Sequence, residues 1–136
     1  MVRQIVHDPL FLAQKSEPAA ESDMPVALDL LETLMANRLD CVGMAANMIG
    51  IKKRIIVFDD GGKYTTMYNP EIIKKSGEYE TEESCLSLAG TRKTKRYKFI
   101  TVKYRDEFFK EKQKAYFGWS AQIIQHEIDH CNGVLI

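Results

Sequence analysis

Five residues, His126-Glu127-Ile128-Asp129-His130, constrain the fold of this chain more than any other stretch. Two histidines four apart lie one turn above each other on one helix face, so both imidazoles can reach a single metal ion. Glu127 is swung about 100° around the axis from His126, where it can stand beside the ion and handle a proton without ligating. The pattern therefore requires a helix here, and it requires a third ligand. Only six residues follow His130, none of them acidic or a histidine. The third ligand must come from upstream, so the chain has to fold back onto this helix. The competing reading is two ordinary surface histidines. His7, the remaining histidine, reads as a surface or loop residue.

The best candidate for the third ligand is Cys85, in Glu82-Glu83-Ser84-Cys85-Leu86-Ser87. Its thiolate is a strong ligand for zinc or ferrous iron. Two histidines and one cysteine leave a fourth position for water, as in catalytic rather than structural sites. A buried, inert thiol is the alternative. Three cysteines are too few for a secreted disulfide framework. With no signal-peptide core and no apolar run long enough for a bilayer, a cytoplasmic protein without membrane association is expected. Nineteen basic residues balance nineteen acidic ones. That argues against a specific nucleic-acid partner.

A length of 136 residues fits a single domain, 1–136. Ser16–Asp23 reads as a loop, followed by a helix capped by Asp23 with an apolar stripe of Ala27, Leu30, Leu31, Leu34 and Met35. Cys41–Gly50 is too short and glycine-bounded for a helix of its own. Arg54–Phe58 is a buried-type strand ending at Asp59-Asp60-Gly61-Gly62, and Tyr64–Tyr68 is its partner, stopped by Asn69-Pro70. Phe99–Tyr104 and Lys112–Phe117 form a second pair. A helix from Gly118 to His130 ends at Asn132-Gly133. The order gives an α+β class with antiparallel pairing. The basic run Arg92–Lys98 reads as a solvated loop leading into a strand, and Trp119 as a core anchor.

Three segments together resemble the peptide deformylases: Cys41-Val42-Gly43-Met44-Ala45-Ala46-Asn47-Met48, Glu83-Ser84-Cys85-Leu86-Ser87 and Gln125-His126-Glu127-Ile128-Asp129-His130. Their order and spacing are the family's, and the third matches in full. The resemblance implies antiparallel β-sheets around a central metal-binding helix. It also implies removal of the N-formyl group from the formyl-methionine of new polypeptides. Carried over by residue, Cys85, His126 and His130 hold a divalent ion, ferrous iron in the first place and zinc, nickel or cobalt as substitutes. Glu127 is the general acid/base, and the Leu86 N–H and the side chain at position 48 stabilise the oxyanion. Val42, Gly43, Met48 and Ile123, with Thr81 nearby, line the substrate site, and Arg96 pairs with Asp129. The expected partners are an N-formylated peptide and, transiently, the ribosome, with the enzyme a monomer.

Three positions depart from the family pattern. Met48 stands where the family has glutamine, and a thioether donates no hydrogen bond. Cys41 and Ser84 replace glycines. These changes leave an alternative open: a deformylase-like protein of weak activity, or one acting on a different formyl or acyl amide.

Overall fold

The computed structural model describes residues 1–136. A short helix α1 (Pro9–Leu12) and a longer α2 (Met24–Ala36) precede five strands and a last helix α3 (Gly118–Cys131). The strands are β1 (Gly43–Ala45), β2 (Ile55–Asp60), β3 (Lys63–Ser84), β4 (Thr91–Arg105) and β5 (Glu111–Phe117). They form one five-stranded sheet in the order β1-β2-β3-β4-β5, and every neighbouring pair is antiparallel. No helix is long and apolar enough to cross a membrane. The α+β class expected from the sequence is the one observed, with a single sheet beside the helix that carries His126 and His130.

The run Ile55-Ile56-Val57-Phe58 is wholly buried because β2 is covered on both faces. Ile56 and Phe58 point into a core with Met67, Ile100, Val102 and Tyr116, closed by Ala121, Ile124 and Ile128 of α3. Ile55 and Val57 point the other way, onto Leu30 and Leu34 of α2 and onto Met44 and Met48. Alternation along a strand sends neighbours to opposite faces, so one strand serves two cores.

The turn after β2 pairs Asp60 with Lys63, leaving a two-residue loop. Both loop residues have positive φ, 62° at Gly61 and 99° at Gly62, as a primed hairpin turn requires. Beyond it, β3 does not stop at Asn69-Pro70. Asn69 takes φ 53° and the register shifts between Tyr68 and Glu71 and between Ile72 and Lys74, so the strand bulges and continues to Ser84. Its far half pairs with β4. The basic run is therefore strand rather than loop, with Glu80 opposite Lys95, Glu82 opposite Lys93 and Glu83 opposite Arg92. Opposite charges across neighbouring strands favour that pairing.

Two details of α2 also differ from expectation. Asp23 occupies the cap position, but its carboxylate accepts from the Ala20 N–H at 2.8 Å instead of capping. The buried stripe is Ala27, Leu30, Thr33 and Leu34, and Met35 is turned outward. Thr33 is inward because its hydroxyl oxygen accepts from the Arg3 N–H at 2.9 Å.

Candidate active site

The helix α3 presents two stripes. Ala121, Ile124, Ile128 and Cys131 face the core. Trp119, Gln122, Ile123, His126 and Glu127 line a cleft of about 660 Å3. Their spacing of i, i+3, i+4, i+7 and i+8 is that of one helix face. Trp119 is thus no core anchor. It is 61% exposed at the rim, because its place on the helix belongs to the cleft stripe. Opposite α3 stand Val42, Gly43 and Met48 from the β1 region and Thr81, Ser84, Cys85 and Leu86 from the end of β3. Val42, Gly43, Met48, Leu86 and Ile123 all reach this one cleft.

The ligand atoms of Cys85, His126 and His130 lie within 4.8 Å of one another. Cys85 Sγ is 3.3 Å from His130 Nε2, and the two Nε2 atoms are 3.1 Å apart. Donors around a tetrahedral ion of zinc-like bond lengths sit about 3.3–3.7 Å apart. A thiolate and two imidazoles at this spacing fit one divalent transition-metal ion. His126 Nδ1 is 2.7 Å from Glu83 Oε1, which holds the proton on Nδ1 and leaves the Nε2 lone pair for the ion.

Glu83 is itself held. It receives Arg96 through Nη2 at 2.7 Å and Nε at 2.9 Å, while Arg96 Nη1 donates to Asp129 at 2.7 Å. The Arg96–Asp129 pair was legible in the sequence, whereas the Arg96–Glu83 fork was not. Burial works against charge on Glu83, but hydrogen bonds from His126, Arg96 and Gln122 prevail and hold it at about 2. Burial likewise opposes charge on both imidazoles. Hydrogen bonds to Cys85 and Glu83 overcome it at His126, held up at about 10, while His130 falls to about 3. His126 thus carries a second proton, on the Nε2 that faces His130 rather than on the Glu83 side, and a cation bound there takes that proton's place.

Glu127 is 4% exposed, and burial pushes its carboxyl up to about 7. Its Oε1 has no hydrogen-bond partner in the chain. A group that gains and releases a proton near neutrality is suited to general acid/base work. Gly43 is what lets this carboxylate approach β1. A Cβ there would lie 2.7 Å from Ile123 Cγ2 and 2.9 Å from Glu127 Oε2.

The first motif is more occupied than its sequence suggests. Met48 is 1% exposed, packed in the α2-side core while touching the cleft. Asn47, its neighbour, donates its amide to the His130 carbonyl at 3.0 Å and supports the helix. Cys41 donates its thiol to the Gly43 carbonyl at 2.8 Å, and burial raises the thiol to about 12, so it stays protonated. His7 is exposed as expected, yet its Nδ1 lies 3.0 Å from the Ser87 carbonyl and ties the N-terminal segment to the Cys85 loop.

Comparison with known proteins agrees with this geometry. The family model of polypeptide deformylase matches residues 2–136. The chain is 57% identical to the peptide deformylase of Clostridium beijerinckii over 136 residues, all of both chains. It is 42% identical over 142 residues to that of Pseudothermotoga lettingae, covering 99% of this chain and 81% of that one. Among solved structures, a peptide deformylase from Legionella pneumophila superposes with a TM-score of 0.88 at 36% identity, over 99% of this chain and 83% of that one. A class I type b peptide deformylase from Acinetobacter baumannii, bound to Met-Ala-Ser, gives 0.89 at 26% identity, over 99% and 97%. With a match along almost its full length, and a cysteine and two histidines gathered at one point, this chain belongs to the polypeptide deformylase family.

Proposed function

We propose that the cleft removes the N-formyl group from the formyl-methionine of new polypeptides, with Cys85, His126 and His130 holding a divalent ion and Glu127 moving the proton. The observation that carries this is the convergence of one sulfur and two imidazoles within 4.8 Å beside a buried carboxyl held near neutrality. Ferrous iron is the proposed ion, since a mixed thiolate and imidazole set suits it, and zinc, nickel and cobalt suit the same donors. When bound, the ion supplies Lewis acidity toward water and the formyl oxygen.

The remaining work falls to the chain. Glu127 accepts the proton of the attacking water at Oε1 and returns it to the amine nitrogen as the C–N bond breaks, giving formate and a free N-terminus. The Leu86 N–H, which makes no hydrogen bond inside the chain, is free to donate to the oxygen where charge develops. Val42, Gly43, Met48 and Ile123 form the substrate wall. The Acinetobacter relative carries Met-Ala-Ser, a peptide opening with methionine, which supports a methionyl peptide as occupant. The enzyme acts as a cytoplasmic monomer, and its contact with the ribosome is transient.

Anaerobic purification, metal analysis and an assay on formyl-Met-Ala-Ser test the reading. Glu127→Ala should retain the metal and lose most hydrolysis, because the ligands survive and proton transfer does not. Undiminished turnover would remove Glu127 from its role. The alternative of another acyl amide is not favoured by relatives so similar along the full chain.

A further inference from the structure

We propose that Gln122 is a positioning residue that locks the carboxylate orienting His126, and so tightens the hold on the ion from the cleft side. The inference rests on the metal-site reading above and concerns a residue outside the three motifs. Gln122 lies on α3 one turn before His126. Its Nε2 donates to Glu83 Oε2 at 2.9 Å, and its Oε1 accepts from the Tyr79 hydroxyl at 3.3 Å.

Each oxygen of Glu83 then has two donors. Oε1 takes Arg96 Nη2 and His126 Nδ1, and Oε2 takes Arg96 Nε and Gln122 Nε2. A carboxylate with both oxygens doubly engaged cannot rotate without breaking a bond, and a histidine bonded to it cannot turn its ring. Of the two donors to Oε2, Gln122 borders the cleft and Arg96 does not. The Glu83 carboxylate, which only accepts, decides which way the amide points, because a flipped amide would set its oxygen against a carboxylate oxygen. The Tyr79 hydroxyl then donates to the amide oxygen and holds it in place. Remove the donor, and Glu83 Oε2 keeps only Arg96 and opens to cleft water.

The test compares zinc affinity, by chelator competition, in the parent, Q122M, Q122K and Tyr79→Phe. Methionine matches glutamine in length and donates nothing, whereas lysine restores a donor. Q122M is expected to bind zinc about 10-fold more weakly, the scale of losing an outer partner of a ligand histidine. Q122K should regain most of that loss, and Tyr79→Phe should weaken binding in the same direction by less. The His126 ring 15N signals should broaden or shift in Q122M and recover in Q122K, a response that general destabilisation would not give. Equal zinc affinity in the parent and Q122M, with unchanged His126 signals, overturns the inference. Failure of the parent to bind zinc would instead overturn the metal reading beneath it.

Discussion

Met48 sits at the meeting of two demands, a well-packed core and a charge-stabilising cleft wall. It satisfies the first. Met48→Gln would point a donor at charge that forms only in the transition state, so kcat on formyl-Met-Ala-Ser should rise by about 10–10² with a smaller change in KM. The same substitution puts an amide into an apolar cluster and should lower stability by about 1–2 kcal/mol. Steady-state kinetics and denaturant melts read both effects. No gain in kcat would mean that position 48 only packs. The cluster of Cys85, His126 and His130, with Glu127 next to it, could be located from sequence because metal chemistry restricts residue type and spacing. Asn47 and Gln122 could not. An amide's role depends on which carbonyl or carboxylate the fold brings to it, and no local pattern records that.

Turns and helix ends were legible where backbone rules are strict, as at Gly61-Gly62 and at Asn132-Gly133 after α3. The continuation of β3 through Asn69-Pro70 was hidden, because a bulge absorbs the proline that would normally end a strand. The pairing of its acidic half with the basic half of β4 is a long-range match that composition registers only as balanced charge. The β4–β5 turn depends on a side chain instead. Asp106 Oδ1 accepts from the backbone N–H groups of Phe108 at 2.9 Å and Lys110 at 3.0 Å. The Lys110 N–H, followed by that of Phe108, lowers its carboxyl below the usual 3.8. A carboxyl lowered in the folded state supports the turn fully above its unfolded value and loses that support as pH falls through the folded one. Protection of the Phe108 and Lys110 amides, taken relative to intrinsic exchange at each pH, should therefore fall below about pH 4. In Asp106→Ala that protection should be low at every pH, and pH-independent protection in the parent would refute the assignment.

At the level of the whole molecule, β2 joins the α3-side and α2-side cores, so neither can loosen without exposing the other. Melting followed by far-UV circular dichroism, by Trp119 fluorescence and by metal release should share one midpoint, as a two-state unit requires. Separate midpoints would show that the cores unfold independently. The exposed Gly61-Gly62 tip is the natural place to divide such a molecule. A cut there gives one fragment the strand common to both cores and the other fragment Cys85, His126 and His130. Neither piece holds a complete interior, and the piece with all three ligands lacks the β1 wall against which Glu127 is set. Deformylation regained on mixing the two would make this hairpin a complementation switch, with catalysis reporting the reunion of the halves.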